Sequence, residues 1–311
     1  MRMIKKLLRL VLIGGMMLTA NIANATTTID IISRFGPTSA NGILALEYIR
    51  LLNEVQTEYE FRLKTIPGAQ GESADQRLLA LAKEGQKVLW YGPISAFTVN
   101  RFIIGNTYDR DRDIVPLQSI FGVPFSVMVN EQSTIKTLDQ LMEKLKTKGG
   151  FVATTTGGVN DVLNNILLIK HNVQNIKPLN YVTPFDLKRS VLTGESDYTV
   201  FPHPDMAGLR MLVVSSKARL PEFPTVPTGV EMGMSEFEYT SLNMISAPKE
   251  SAEFGKSLVP LLNNVCNSTK MKTITNTAGY QNFCLGNNEI AAQISSEIKL
   301  MEQHKDVLIP K

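Results

Sequence analysis

The sequence predicts an α/β fold made of two lobes with largely parallel sheets. Short apolar runs of strand length alternate with helical patterns from Thr26 onward, an alternation typical of parallel sheets covered by helices. Two strand-to-helix junctions also share one arrangement, because hydroxyl-bearing residues and glycines follow both Ile29–Ser33 and Phe151–Ala153. The roughly 286 residues after residue 25 suit two domains of ordinary size.

The first 25 residues have the pattern of a secretory signal peptide. Basic residues at positions 2, 5, 6 and 9 accompany the apolar run Leu7–Ala20, and Ala23-Asn24-Ala25 is a small-x-small cleavage site. A membrane anchor is the alternative, but the run of about 14 residues is shorter than the roughly 20 that a spanning helix needs. We therefore expect a periplasmic protein that is cleaved after Ala25.

Removal of this segment changes the charge of the chain. The full sequence has 32 Lys and Arg against 29 Asp and Glu, and the segment carries four of the basic residues and no acidic one. The mature chain would hold 28 basic and 29 acidic residues, a net charge of −1. The basic balance belongs to the discarded part, so nucleic acid is not an expected partner.

Apolar or alternating runs bounded by Gly, Pro and polar residues predict the strands. The predicted strands are Ile29–Ser33, Tyr59–Ile66, Lys87–Tyr91, Ser119–Gly122, Phe125–Asn130, Phe151–Ala153, Leu179–Val182, Asp197–Phe201, Met211–Ser215 and Phe237–Ile245.

Apolar residues at a spacing of three and four predict the helices, with Ser73 and Thr137 as N-caps of the second and fourth. The predicted helices are Ile43–Asn53, 73–84, Ile94–Arg101, 137–146, a run that follows Asp161 and continues to about His171, Pro184–Leu192, Ser251–Cys266 and Asn288–His304.

Strands near Val123–Asn130 and Thr240–Ile245 are placed to pass from one lobe to the other. The first lobe is then discontinuous and consists of residues 26–125 and 241–311, while residues 126–240 form the second lobe. The remaining constraint is a pair of cysteines, Cys266 and Cys284. In an oxidising compartment they are expected to form a disulfide, and two buried thiols that never meet are the alternative.

The two similar junctions predict an anion-binding site. Glycines allow a close backbone approach, and the exposed N–H groups in the first turn of a helix attract negative charge. We expect the two helix starts to face each other and to hold a small carboxylate. The candidate ligand-binding residues are Arg34, Phe35, Thr38, Ser39, Asn41, Tyr91, Gly92, Ser95, Thr155, Thr156, Gly158, Asn160, Asp161 and His203.

Each candidate also has a structural interpretation. The hydroxyl residues at both junctions could cap only their own helices, and Asp161 could be a first-turn charge that the helix dipole favours. Arg34 could be a solvated or lobe-bridging charge rather than a fork for an anion. Tyr91 could be a purely structural residue, and His203 could face away from the cleft.

The sequence offers little for catalysis. The three histidines, at 171, 203 and 304, lack the spacing of a metal site. No serine lies in a G-x-S-x-G elbow, and the Gly157-Gly158 pair lacks the G-x-G-x-x-G spacing of a dinucleotide site. We expect neither enzymatic activity nor a cofactor.

A set of short motifs in a fixed order resembles a known family over almost the whole mature chain. The motifs are Ile66-Pro67-Gly68-Ala69-Gln70-Gly71, 82–89, Tyr108-Asp109, 112–116, Thr155-Thr156-Gly157-Gly158-Val159, Asn180-Tyr181, 192–197, the proline-rich stretch 219–233, Phe237-Glu238-Tyr239 and Ala247-Pro248-Lys249. Together they resemble the Bug-type solute-binding receptors of tripartite tricarboxylate transporters.

This resemblance implies a type II periplasmic binding fold, in which two lobes joined by crossing strands hold a ligand between them. It implies a monomeric receptor that captures a small carboxylate and delivers it to a tripartite tricarboxylate-type permease. A sensor that docks on a signalling partner is an alternative, and a secreted hydrolase on the same scaffold is another. In the first loop, the family's paired glycines and aspartate are replaced here by Thr38-Ser39-Ala40-Asn41-Gly42, so the resemblance does not give the ligand.

Overall fold

The structure describes most of the chain after the predicted signal peptide. The computed structural model describes residues 26–66, 68, 71–103, 110–155, 158–181, 183–202, 204 and 206–308. The signal-peptide prediction and the candidate residues Thr156 and His203 lie outside the described residues.

The strands follow the predicted order, with one fusion and one addition. A single strand of 17 residues replaces the two strands predicted between 119 and 130. A short strand at 281–282 was not predicted, because its residues are polar. The strands are β1 Thr27–Ser33, β2 Tyr59–Thr65, β3 Val88–Pro93, β4 Ile114–Asn130, β5 Gly150–Thr154, β6 Ile176–Asn180, β7 Tyr198–Pro202, β8 Leu209–Val214, β9 Thr240–Pro248 and β10 Gln281–Asn282.

The longer helices also lie close to their predicted positions, except Thr269–Thr277, where no helix was predicted. Thr137 is an N-cap as predicted, whereas Ser73 is not, because the second helix begins earlier, directly after Gly71. The run Ile94–Arg101 divides into the short segments Ile94–Ala96 and Asn100–Ile103. The longer helices are α1 Ala40–Glu54, α2 Glu72–Lys83, α3 Leu138–Lys148, α4 Val159–Lys170, α5 Pro184–Thr193, α6 Ala252–Cys266, α7 Thr269–Thr277 and α8 Asn287–Gln303.

Within the described residues the strands join into one mixed sheet with the order β2-β1-β3-β9-β4-β7-β5-β6, and β10 and β8 also pair with β4. β4 lies in the middle of this sheet and pairs with strands on both sides. Up to Pro124 it pairs with β9 and β10, and from Phe125 onward it pairs with β7 and β8. We call β1, β2, β3, β9 and β10 the first half, β5 to β8 the second half, and the change of partner between Pro124 and Phe125 the crossover. The α/β prediction is confirmed.

The apolar cores follow the same division. In the first half, α1 and α6 cover one face of the sheet through residues such as Leu44 and Leu258, and α2 and α8 cover the other through Leu78 and Ile290. In the second half, α3 and α4 pack on the sheet around Val127. In the part of the chain that the structure describes, no helix is both long and apolar enough to cross a bilayer.

The two cysteines are joined. Cys266 at the end of α6 and Cys284 after β10 form a disulfide with an S–S distance of 2.04 Å and a Cα–Cα distance of 5.8 Å. The two residues are 18 positions apart in the sequence, and loops of this length stabilise the folded state by about 3 kcal/mol in the chain-entropy account. The bond therefore links the segment that contains α7 and β10 back to the end of α6.

Candidate functional site

The parallel strands of both halves end toward the crossover. In the first half, Pro93 at the end of β3 pairs with Asn243 near the start of β9, so β3 and its parallel neighbour β1 end on the crossover side. In the second half, Pro202 at the end of β7 pairs with Phe125, so β7 and its parallel neighbour β5 end there as well. The two sets of strands approach from opposite directions, because β7 is antiparallel to β4. The segments that follow β1 and β5 therefore emerge toward the same gap.

The first of these segments, residues 34–39, is called the first loop. Ser39 ends it and is the N-cap of α1, where its hydroxyl accepts a hydrogen bond from the Gly42 N–H at 3.1 Å and donates one to the Gly36 carbonyl at 2.7 Å. Thr38 beside it is exposed. Part of the hydroxyl chemistry predicted for a ligand is thus used to cap the helix.

Gly42 has a steric role that explains the departure from the family pattern. A Cβ at this position would lie 2.1 Å from the Gly36 carbonyl oxygen, a distance that no side chain tolerates. An aspartate cannot occupy position 42 while the loop keeps this shape. Glycine at position 42 therefore allows the loop to fold tightly onto the first turn of α1.

Tyr91 differs from its prediction as a cleft residue. Its ring is fully buried and lies 5.6 Å from that of Phe35, and its hydroxyl donates a hydrogen bond to the Asn41 carbonyl at 2.9 Å. Burial raises the pKa of Tyr91 well above its ordinary value, so the hydroxyl stays protonated and remains a donor. The hydroxyl thus holds the start of α1 against β3.

Arg34 is buried in an ion pair and is not the solvated charge that was one of its alternatives. Its side chain is only 4% exposed, and Nε lies 3.5 Å from Oδ1 of the fully buried Asp75 on α2. The Trp90 indole N–H donates to the same carboxylate oxygen at 2.7 Å. The ion pair anchors the first loop to the core. The sequence did not indicate Asp75, because a first-turn acid on an amphipathic helix is usually solvated and both of its partners, Arg34 and Trp90, are distant in sequence.

The second segment, residues 155–158, is called the second loop, and the structure describes Thr155 and Gly158 of it. Asp161 in the first turn of α4 accepts hydrogen bonds from the Gly158 N–H at 3.3 Å and from the Thr154 hydroxyl. The Asn160 amide donates to the Thr154 hydroxyl and, at 3.4 Å, to the Thr155 carbonyl. Asn160 and Asp161 therefore hold the loop in shape, and their expected role as ligand contacts stays a prediction.

Gly158 is required by this network. A Cβ on Gly158 would lie 2.4 Å from Oδ1 of Asn160, so the glycine gives the amide room to reach back over the loop. Thr155 is partly exposed, and its hydroxyl reaches Asn160 Oδ1 only at 3.4 Å, a long hydrogen bond. Thr155 is thus the described hydroxyl of this loop that a ligand could engage most readily.

Asn41 keeps unused hydrogen-bonding capacity. Its side-chain Oδ1 is buried and has no hydrogen-bond partner among the described residues, although its backbone carbonyl is engaged by Tyr91. A buried polar atom without a partner is rare and costs free energy. Rotation of the amide would present its NH₂ group instead, so Asn41 can meet either an acceptor or a donor.

The two remaining candidates follow β3. Gly92 is buried under the Trp90 ring, where a Cβ would lie 2.4 Å from the indole, so it is a packing glycine. Ser95 is partly exposed in the single turn Ile94–Ala96. The described donors at the gap are thus neutral hydroxyl, amide and backbone N–H groups at two helix starts, and this arrangement favours a small anion.

Two curated proteins are similar to this chain in sequence, although no family model matches it. A UPF0065 protein of Bordetella bronchiseptica is 22% identical over 189 residues, which cover 58% of this chain and 56% of that relative. The protein BugT of Bordetella pertussis is 24% identical over 256 residues, which cover 77% of this chain and 78% of BugT. This chain thus matches little more than half of the length of the first relative and over three quarters of the second.

Solved structures share the fold over nearly the whole chain. The Rhodopseudomonas palustris protein Rpa4515 with adipate has a TM-score of 0.74 and 18% identity, covering 91% of this chain and 97% of that one. MatC of the same organism with bound malate has a TM-score of 0.69 and 18% identity, with coverages of 91% and 98%. The periplasmic binding protein BugD has a TM-score of 0.71 and 14% identity, with coverages of 90% and 97%.

These likenesses confirm the two-lobed α/β fold of periplasmic binding proteins that the motifs indicate. Structural likeness at such low identity establishes the fold, and a function requires its own argument from the site. The sequence matches add a similarity to BugT that extends over 77% of this chain. The chain is therefore similar in sequence to BugT and in fold to the periplasmic binding protein BugD.

Proposed function

We propose that this protein is a periplasmic receptor that captures a small carboxylate between the first and second loops. The observation that carries the proposal is the convergence of the strand ends. β1 and β5 end toward one gap from opposite directions, and each is followed by a helix whose first-turn N–H groups attract an anion. The ligands named for two neighbours, adipate and malate, are small carboxylates.

The ligand would engage Asn41 and Thr155 directly, together with the first-turn N–H groups of α1 and α4. Ser39 and Tyr91 would act by holding the first helix start, and Asn160 and Asp161 by holding the second. Hydrogen bonds to a charged acceptor contribute about 1.5–3 kcal/mol each. Several of them together would be enough for about micromolar binding once the cost of association is subtracted.

The domain division supports a closing motion. The proposed lobes are residues 26–125 with 241–311 and residues 126–240, linked through β4 and the start of β9. Closure about this linkage would bring the two half-sites together around the ligand. The signal peptide would be removed after Ala25, and the mature monomer would deliver its ligand to a tripartite tricarboxylate-type permease.

Calorimetry on the mature protein tests the proposal. A panel of mono- and dicarboxylates with two to six carbons should include at least one that binds saturably and raises the Tm by several degrees, without being converted. Thr155→Val should weaken that ligand about tenfold, as expected for the loss of one charge-assisted hydrogen bond. Thr147→Val is the matched control, because its exposed hydroxyl lies on α3, away from both loops. Failure of all carboxylates to bind folded protein would refute the proposal.

Uptake measurements separate delivery from sensing. Deletion of the gene should abolish uptake of the labelled ligand by intact cells, and the gene without its signal sequence should fail to restore it. Unchanged uptake together with a lost transcriptional response to the ligand would favour the sensor.

A further inference from the structure

A cavity of about 840 Å³ lies beside the crossover, and none of the candidate ligand-binding residues lines it. We call it the hinge cavity. Its walls come from residues 216–222 after β8, residues 238–242 at the start of β9, and parts of α7, β10 and α8. Its volume lies within the ~300–1,000 Å³ typical of sites for small organic molecules. Both halves of the molecule contribute to its walls.

The cavity contains a buried carboxyl group, that of Glu297. On one face of α8, Ile290 and Ile294 pack in the first-half core and Met301 packs in the second-half core. Glu297 lies on the same stripe between them and is only 5% exposed. It is thus a charged residue in an otherwise apolar contact surface, at the place where α8 passes from one core to the other.

The hydrogen-bond partners of Glu297 are neutral. Thr98 donates to Oε2 at 3.0 Å and Gln293 donates to Oε1 at 2.9 Å. Burial raises the pKa of the Glu297 carboxyl to about 7, while these hydrogen bonds act in the opposite direction. A buried carboxylate is costly unless a cation compensates it, so a cation beside Glu297 would relieve this cost.

Tyr239 supplies a second buried polar group to the same cavity. It is only 3% exposed and lines the cavity. Its hydroxyl has no hydrogen-bond partner by distance and angle among the described residues. Burial, together with the nearby Glu297 charge, raises the pKa of Tyr239 well above its ordinary value. The protonated hydroxyl adjoins the carboxyl and can accept a hydrogen bond.

The rest of the lining limits the kind of cation. Within the described residues no group of three His, Cys, Asp or Glu side chains could hold a metal ion. The exposed residues of the lining include two acids, Glu222 and Glu238, and two lysines, Lys217 and Lys272. An organic ammonium fits this setting better than a metal ion, because its three N–H donors suit a carboxylate and a hydroxyl.

We propose that the hinge cavity binds a small organic primary amine, with its ammonium group between the Glu297 carboxylate and the Tyr239 hydroxyl. The site is separate from the carboxylate site and does not depend on the proposed receptor function. Because both halves form its walls, the bound amine contacts both sides of the crossover.

Calorimetry on the mature protein at pH 8, with 1,4-diaminobutane and 4-aminobutanoate as probes, tests this site. At least one amine should bind saturably, while 1,4-butanediol and butanoate should not bind in the cavity. Glu297→Gln should lower the amine affinity at least tenfold, whereas Glu302→Gln, at an exposed position of the same helix, should leave it unchanged. Absence of amine binding to the wild type, or equal affinity in a folded Glu297→Gln variant, would overturn the proposal.

A variant of the first loop keeps the two sites distinguishable. Ser39→Ala should leave amine binding unchanged even though it weakens carboxylate binding. Loss of carboxylate binding alone would count against the receptor function only, and loss of amine binding alone would count against the hinge-cavity site only. An amine that binds in the gap between the loops instead would lose affinity with Ser39→Ala but not with Glu297→Gln, and this result would contradict the proposal.

The pH dependence gives a second readout. Protons compete with the amine for Glu297, whose pKa is about 7, while the amine keeps its charge below about pH 10. Affinity should therefore rise roughly tenfold or more from pH 5.5 to pH 8. The other titratable groups that line the cavity are Lys217, Glu222, Glu238, Tyr239 and Lys272. All remain in Glu297→Gln, so the same pH dependence in that variant would refute the assignment to Glu297.

Discussion

The first and second loops reach the same gap from opposite halves of the molecule, but they cap their helices differently. In the first loop a neutral hydroxyl, that of Ser39, accepts from the backbone of α1. In the second loop a carboxylate, that of Asp161, accepts from the Gly158 N–H at the start of α4. A negative ligand therefore meets a neutral cap on one side and an existing negative charge on the other. We infer that the first loop provides most of the attraction for an anion.

The loops also differ in how they are anchored. Contacts with the core hold the first loop, namely the buried pair of Arg34 and Asp75 and the hydrogen bond of the Tyr91 hydroxyl. The second loop is fixed by its own neighbours in sequence, Thr154, Asn160 and Asp161. The shape of the first loop thus depends on α2 and β3, whereas that of the second is largely local. The variants below test this contrast, from the largest expected effect to the smallest.

Asp75→Asn should have the largest effect. It removes the negative charge beside the buried Arg34 guanidinium, and breaking a buried ion pair costs about 3 kcal/mol or more. Urea unfolding of the mature protein should show this loss, and carboxylate affinity should fall because the first loop loses its anchor. Glu253→Gln is the control, because it breaks an exposed pair with Lys256 and should cost less than about 1 kcal/mol. Equal losses in the two variants would contradict a core anchor for the first loop.

Gly42→Ala should have the next largest effect. The new Cβ would lie 2.1 Å from the Gly36 carbonyl oxygen, and overpacking of this kind costs about 1–3 kcal/mol. Displacement of the first loop should lower carboxylate affinity by about tenfold or more, measured by calorimetry. Gly36→Ala in the same loop is the matched control, because no atom lies within 4 Å of the position that its new methyl group would take. Wild-type affinity in Gly42→Ala would show that this loop does not bind the ligand.

Ser39→Ala tests the neutral cap. Loss of an N-cap hydroxyl should lower the free energy of unfolding by about 1 kcal/mol. It should also weaken carboxylate binding several-fold, because the first turn of α1 loses its fixed position. Ser39→Asp, which keeps an acceptor but adds a charge, should restore stability and should not restore binding. Recovery of binding in Ser39→Asp would contradict the view that a neutral cap matters.

Asp161→Asn should have the smallest effect and the opposite sign for binding. Asparagine is also a good acceptor near a helix start, so stability should change by less than about 1 kcal/mol. Removal of one negative charge from the gap should strengthen carboxylate binding by roughly threefold, within the ~0.3–1 kcal/mol that a charge contributes near a helix N-terminus. Calorimetry at low and high salt should show the gain shrinking as salt rises. Weaker binding in this variant would mean that Asp161 contacts the ligand directly.

Local pattern was enough to predict most elements of the fold. Alternating and 3.6-residue periodicities predicted most strands and helices to within a few residues of their observed ends. The reason is that an element with one buried face needs apolar side chains at its own period. The pattern was insufficient for β4, which was predicted as two separate strands, Ser119–Gly122 and Phe125–Asn130. Pairing with β9 and β7 on either side of Pro124 keeps the strand continuous instead.

The candidate site was predicted at the level of segments and less well at the level of side chains. The sequence indicated both loops, because hydroxyl residues and glycines precede a predicted helix at each of them. It did not indicate which side chains are engaged within the loops. Backbone groups a few residues away form hydrogen bonds with Ser39, Asn160 and Asp161. Such short-range hydrogen bonds compete with ligand contacts, and no sequence pattern distinguishes the two.

The sequence by itself determined the class of fold, the order of its elements and the two helix starts, since these follow from local spacing and residue type. Only the tertiary structure decided that Arg34 pairs with Asp75, that Tyr91 is buried, and that Glu297 lies between two cores. These contacts join residues from different elements of the chain. Their charge states and partners depend on burial and distance, which are properties of the packed molecule and not of any one segment.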